Sequence, residues 1–361
     1  MTPRAARAFI DTDALCHNLG VVRRYAPASR VLAMVKADAY GHGALRCALA
    51  LEAAGADALG VVGVAGALRL REGGLRAPLV VLQGPRRAQE IAAFPAAGLQ
   101  AVLHHDWQLE ALAGWRGESL DAWLKFDTGM GRLGFAAERI DELLRRVAAL
   151  PLRLQGLMTH LACADEPGNP HTAAQLRGFA ELGAGRGLPL SVANSAGLVA
   201  WPAARLDWVR CGIMLYGASP FAAGHPLQSE LRPVMNFESR LIAVNRHRAG
   251  DSIGYGATWR CPRDLDLGLV AVGYADGYPR AAPSGTAVLV NGQRAPLAGR
   301  VSMDSLAVDL GDIAAVPGDP VRLWGDGLPV NEIATAAGTI GYELLTRVRA
   351  EALRAAARAD H

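Results

Sequence analysis

Short apolar runs rich in β-branched residues, each bounded by turn residues, recur at 31–35, 58–64, 79–82, 99–103, 120–126, 152–161, 188–193 and 208–215. They are nearly continuous rather than alternating, the pattern of strands covered on both faces. Between most of them lie alanine- and leucine-rich stretches with helical spacing, at 43–54, 137–150 and 171–182, the last opened by Pro170 as an N1 proline would open it. Buried strands alternating with helices predict right-handed βαβ units and a parallel sheet. Eight such units in roughly 230 residues fit a (β/α)8 barrel, about 250 residues in its usual form; a doubly wound open sheet is the alternative.

After Pro233 the texture changes. The runs at 237–247, 267–273, 286–290, 305–310 and 320–324 are short, separated by Gly, Pro, Asn and Asp, with little helical spacing. The expected division is a barrel over 1–232 and a mostly β domain over 233–361. The Arg/Ala tail from Val348 reads as a terminal helix.

Composition narrows the class. With 51% hydrophobic and 20% charged residues the chain can bury a large core. The net charge of +3 comes from 37 basic and 34 acidic residues mixed along the sequence, with no basic stripe to follow a phosphate backbone, so nucleic acid is not the expected partner. The first nine residues contain no apolar leader core and no run of about 18 apolar residues follows, which predicts a soluble, cytoplasmic protein with no membrane partner. Five scattered cysteines without a C-x-x-C pair suit free thiols in a reducing compartment. There is no H-E-x-x-H and no Cys/His set at zinc spacing, so no protein-held metal is expected, and His104 and His105 read as structural or surface residues.

Lys36 and Lys125 are the only lysines among those 37 basic residues. An ε-amine can lose its proton and form imines or carbamates, which a guanidinium cannot do. Reactive residues of a barrel sit where strands end at its C-terminal face, and the runs end in Lys36, in Lys125, in Thr159-His160, in Asn194-Ser195 and in Arg210-Cys211-Gly212-Ile213. An amine at that mouth can condense with an aldehyde, as in a class I aldolase or in a pyridoxal-phosphate enzyme. Ser195 opening a helix, the N–H groups of Gly212 and Ile213, and the phenols of Tyr40 and Tyr342 could cradle a phosphate. The string Gly129-Met130-Gly131-Arg132-Leu133-Gly134 also matches G-x-G-x-x-G. It falls on the fifth strand, and the next strand ends without a ribose-binding acid, which argues against a dinucleotide fold.

The strings Val35-Lys36-Ala37-Asp38-Ala39-Tyr40-Gly41-His42-Gly43, Asp127-Thr128-Gly129-Met130-Gly131-Arg132-Leu133-Gly134, Tyr255-Gly256-Ala257-Thr258, Gly273-Tyr274-Ala275-Asp276-Gly277 and Val301-Ser302-Met303-Asp304 make the chain resemble the alanine racemases along nearly its whole length. The resemblance implies a fold-type-III pyridoxal 5'-phosphate enzyme, a homodimer of barrel plus β domain whose active sites borrow residues from the partner's β domain. It implies L- and D-alanine as substrates, interconverted for peptidoglycan synthesis or alanine catabolism. Lys36 would hold the cofactor as an imine and act as base on one face, with Tyr255 of the partner subunit as base on the other, since proton return to the starting face only regenerates the starting enantiomer. Tyr40, Asn194, Ser195, Gly212, Ile213 and Tyr342 would hold the cofactor, and Arg210 would meet its ring nitrogen. Arg132, Met303, Tyr274 and Asp304 would bind substrate. Lys125 would be a carbamate that orients Arg132. His160, linked to Arg210, would supply positive charge to help the tyrosine act as base, because an ordinary phenol titrates near about 10. The competing readings are a barrel decarboxylase of a basic amino acid, which needs no second base, and a non-enzymatic cofactor carrier, which needs no second domain.

Overall fold

The structure, a computed structural model, describes residues 5–349 and 352–355. The chain divides into a β-rich unit of residues 1–17, 40–43 and 216–361 and a barrel unit of residues 18–39 and 44–215. The first strand, β1 (Arg7–Ile10), belongs to the β-rich unit.

In the barrel unit, β2 (Arg30–Met34), β3 (Ala58–Val61), β4 (Leu79–Val81), β5 (Leu99–Leu103), β6 (Leu120–Asp127), β8 (Leu152–Met158), β9 (Leu190–Ser191) and β10 (Trp208–Val209) are all parallel, while β7 (Phe135–Ala136) pairs only with the end of β6. Their order runs β5-β4-β3-β2-β10-β9-β8-β6, and β6 pairs back onto β5 with Leu103 opposite Leu124, so the sheet closes. Every residue of β3 and β4 is buried, as strands covered by helices outside and packed side chains inside must be. Each predicted barrel run contains one strand, yet six runs extend past the end of their strand, four of them by two residues or more: β3 stops at Val61, β8 at Met158, β9 at Ser191 and β10 at Val209. The surplus apolar residues, among them Val192, Ala193, Cys211 and Ile213, are buried loops at the strand ends. The helix Pro170–Gly183 begins with Pro170 at N1 and the Asn169 side chain capping the N–H of His171.

The β-rich unit is organised by β11 (Met235–His247). It pairs antiparallel with β1, with β14 (Leu265–Val270) and with β18 (Pro320–Trp324), and two register shifts let one long strand serve different neighbours. A small pair, β12 (Ser252–Ile253) with β13 (Trp259–Arg260), carries a tight loop at its tip. β15 (Ala287–Val290), β16 (Gln293–Pro296) and β17 (Leu306–Asp309) complete the sheets.

The expected terminal helix is corrected. Leu353–Ala355 is a strand, β19, parallel to β1 with Ala8 opposite Leu353. Alanine and arginine favour helix locally, but β1 has a side not taken by β11, and pairing there satisfies both backbones. The other positions of the expected helix, 350–351 and 356–361, lie outside the described residues.

Candidate active site

Lys36 stands at the end of β2 and starts an abrupt change of backbone. Ala37, Asp38, Ala39 and Tyr40 have φ of 52°, 53°, 52° and 53°, one turn of left-handed helix made without glycine. Such a turn costs about 1–2 kcal/mol per residue for L-amino acids. The Ala39 N–H donates to Val35 O at 3.0 Å and the Ala44 N–H to Asp38 Oδ1 at 2.7 Å, so both ends are tied down. Strain of this kind persists only where the surroundings impose it, and here it turns the chain sharply just past Lys36. A cavity of about 780 Å³ adjoins it, lined by Lys36, Asp38, Val61, Gly63, Arg69 and Arg86.

The barrel mouth is a concentration of cations. Lys36 and Lys125 are both half-buried; the charges of Arg132 and Arg210 act on both amines, and that of Lys36 acts on Lys125. Burial, then Arg132 and Arg210, lowers the Lys36 amine below its ordinary value. Burial, then Arg210 and Arg132, brings Lys125 down to about 8, with Asp127 working against the shift. An amine lowered in this way gives up its proton more readily than a free lysine, and the neutral form is the nucleophile.

Arg210 is buried and, among the described residues, anchored without a carboxylate. Its Nη1 donates to Ser191 Oγ at 2.7 Å, and its Nη2 to Thr159 O, to Val192 O at 3.2 Å and to His160 Nδ1 at 3.3 Å. Burial lowers it to about 10, so it keeps its charge near neutrality. A guanidinium only donates, so His160 Nδ1 accepts and the ring carries its proton on Nε2. Burial and the charge of Arg210 push His160 well below its ordinary value. This corrects the expectation that His160 brings positive charge: the imidazole is neutral, and the charge belongs to Arg210.

The Gly212 N–H donates to Ser195 Oγ at 3.1 Å, and the Met214 N–H points at the same oxygen from 3.5 Å. Ser195 starts the short helix Ser195–Ala200, while Asn194 is its N-cap, with Oδ1 accepting from the Gly197 N–H at 2.8 Å. The Ser195 hydroxyl thus meets the backbone of the Gly212–Met214 segment, with Ile213 between the two N–H groups that face it. Arg132 is exposed on the loop after β6. The loop is held by Asp127, whose carboxylate accepts from four successive backbone N–H groups; burial pushes that carboxyl up, but those bonds outweigh it and hold it below its ordinary value.

In the β-rich unit the predicted residues form two groups. Tyr40 stacks on Tyr216 at 4.8 Å and lies 6.1 Å from Tyr342. Separately, the Tyr274 N–H donates to Ser302 O at 3.1 Å and the Ala275 N–H to Met303 O at 3.0 Å, which binds the Gly273–Gly277 and Ser302–Asp304 segments together. Tyr255 lies in the tip between β12 and β13, 69% exposed, and Met303 is 54% exposed.

Sequence reasoning did not single out Tyr216, Asp127 or Gln175. Gln175, on the helix Pro170–Gly183 and buried, accepts from the Ala162 N–H at 2.9 Å and donates to His160 O at 3.0 Å, tying the loop that follows His160 to that helix. An acid immediately before a Gly-x-Gly loop was a readable signal for Asp127; a glutamine inside a helix gives none.

The family description "Alanine racemase, N-terminal domain" matches residues 10–220, and "Alanine racemase, C-terminal domain" matches residues 234–356. The chain is 52% identical over 350 residues to an alanine racemase of Thioalkalivibrio sulfidiphilus, covering 96% of this chain and 97% of the relative. It is 49% identical over 349 residues to one of Halorhodospira halophila, covering 96% of each. Among solved structures, the biosynthetic alanine racemase of Pseudomonas aeruginosa superposes with a TM-score of 0.92 at 44% identity, covering 98% of this chain and all of that one (100%). On this fold and with this site, such matches make the protein an amino-acid racemase, an isomerase built on a (β/α)8 barrel with a second, mostly β domain. The chain belongs to the alanine racemase family.

Proposed function

We propose that the protein interconverts L- and D-alanine with pyridoxal 5'-phosphate held covalently through Lys36 Nζ, as a cytoplasmic homodimer that makes or consumes D-alanine. The observation that carries this reading is the pair of lowered lysine amines in one cationic barrel mouth. The donor set suits the cofactor: an amine that gives up its proton readily for the aldehyde, and for a phosphate the Ser195 hydroxyl, whose oxygen accepts from the Gly212 N–H and whose O–H can donate. When bound, the cofactor supplies an electron sink that acidifies the substrate Cα–H.

In this reading Ser195, Gly212 and Ile213, with Asn194, Tyr40 and Tyr342, hold the phosphate end, and His160 steadies Arg210 at the ring nitrogen. Arg210, charged near neutrality, would face that nitrogen as a donor and would not give it a proton, unlike a carboxylic acid partner. Arg132 binds the substrate carboxylate as a charge-assisted pair, with Met303, Tyr274 and Asp304 of the partner subunit closing the pocket. Lys36 Nζ moves the α-proton on one face and Tyr255 Oη of the partner subunit on the other. The exposure of Tyr255 and Met303 supports their use by a second copy. Lys125 loses a proton to solvent, and its neutral amine then adds carbon dioxide and releases a second proton, leaving a carbamate whose negative charge orients Arg132; a lysine lowered to about 8 reaches the neutral form more readily than a free one.

The test is loss of α-deuterium to solvent from labelled L- and D-alanine, with optical rotation decaying to zero. A purified, cofactor-loaded dimer that exchanges neither enantiomer would sink the proposal.

A further inference from the structure

The loop after β6 has the sequence pattern of a phosphate-binding turn and the backbone of one, yet it is already filled. Asp127 Oδ1 accepts from the N–H groups of Gly129 at 2.9 Å, Met130 at 2.8 Å and Gly131 at 3.1 Å, and Oδ2 accepts from the N–H of Arg132 at 2.9 Å. Successive N–H groups converging on one point form a nest for an anion. Gly129 and Gly131, at φ of 133° and 67°, let the chain curl tightly enough to make it.

The loop is also closed on itself and clamped from outside. Phe135 and Ala136 of β7 pair beside Phe126 and Asp127. His171 Nε2 donates to Gly129 O at 2.8 Å, and the hydroxyls of Thr128 and Thr159 meet at 2.8 Å. The residue that emerges from this mount is Arg132.

We propose that Asp127 is a positioning residue for Arg132: its carboxylate stands in the nest where a Gly-x-Gly loop would otherwise hold a phosphate, and so fixes the main chain from which Arg132 reaches the substrate carboxylate. This rests on the reading of Arg132 as the carboxylate-binding residue. Asp127 touches no substrate and moves no proton. It replaces an exchangeable ligand with a covalently attached one, so the loop needs no bound anion to hold its shape. The bond from Oδ2 to the Arg132 N–H is the critical one, because it sets the register of the very residue that binds.

Asp127→Asn tests that bond. The amide oxygen can still accept from Gly129, Met130 and Gly131, but its NH2 then faces the N–H of Arg132, donor against donor. Asp127→Glu keeps the anion and displaces it by one methylene. Both variants and Arg132→Ala are loaded with cofactor and compared for the KM and kcat of alanine, and for reaction of the bound cofactor with ethylamine, an amine of similar size without a carboxylate. Amide hydrogen exchange over residues 128–134 is followed in the cofactor-free chain.

The expected result for Asp127→Asn is a KM for alanine raised about tenfold to a hundredfold, the size of a weakened charge-assisted bond, with kcat changed by less than about threefold. Reaction with ethylamine is unaltered, and exchange protection is lost at 129–132 alone. Asp127→Glu, should the amide variant fold poorly, gives a smaller rise of KM in the same direction. An unchanged alanine KM in both Asp127 variants, with a raised one in Arg132→Ala, overturns the proposal and leaves the role of Arg132 standing. An unchanged KM in Arg132→Ala overturns that role and the proposal with it. Equal losses toward alanine and ethylamine also overturn the proposal, because Asp127 would then support the site as a whole.

Discussion

Arg210 Nη2 stands 3.3 Å from His160 Nδ1, and the contact fixes both partners: the guanidinium must donate, so the imidazole must accept and stay neutral. Replacing Arg210 with Gln keeps a donor and removes the charge. His160 then titrates at a higher pH than in the parent protein, while burial still holds it below an ordinary histidine. Ring-proton chemical shifts of histidine followed against pH check this; an unchanged or lower His160 pKa in R210Q would show that Arg210 does not set its charge state.

Lys125 gives a pH signature of stability. Its folded value is about 8, below the unfolded value of about 10.4. Between those limits the unfolded chain holds a proton that the folded chain has released, so unfolding becomes harder as pH rises through the window. The penalty of a buried ammonium is fully present below about pH 8 and relieved above about 10.4. Chemical denaturation of the cofactor-free protein, kept free of carbon dioxide, is expected to show stability rising relative to Lys125→Met from pH 8 to 10. A parallel pH dependence in the two proteins would contradict the shift. With labelled bicarbonate, a carbamate carbon signal present in the parent and missing in the Met variant is the matching chemical test.

Tyr255→Phe separates the two proton transfers. General acid–base groups contribute about a hundredfold to ten-thousandfold, so racemisation falls by that order. Exchange of the α-proton continues for the one enantiomer whose proton faces Lys36, read by deuterium wash-in. Exchange lost equally for both enantiomers would argue against opposed bases. A decarboxylase on the same scaffold would keep its turnover in this variant.

Gly134→Ala probes the closed loop. Gly134 has φ of 142°, and a Cβ there would collide with the main chain of Phe126 and Asp127. The expected cost is at least about 1–3 kcal/mol of folding stability, measured by denaturant titration. Gly285→Ala is the comparison: its φ of 92° is equally unusual for alanine, but nothing lies within 4 Å of the added carbon, so it carries the backbone cost alone and loses less.

The β/α alternation of the first 215 residues was readable because barrel strands are covered on both faces and so become continuous apolar runs, and the two lysines were readable because an amine among arginines has few structural reasons to be one. β1 escaped notice, since its four residues carry no pattern until β11 lies beside them. The tail was misread for the same reason, because only pairing with β1 turns an alanine-rich segment into a strand. At the site, residue types alone set the chemical inventory: two amines, fixed guanidiniums and a serine at a helix start. Tertiary structure decided their states. Burial and the field of Arg210 keep His160 neutral and lower Lys125. Four converging N–H groups turn Asp127 into part of the scaffold. Residue type fixes which protons and bonds are available, whereas desolvation and neighbouring charge, which arise only when distant segments meet, fix which of them are used.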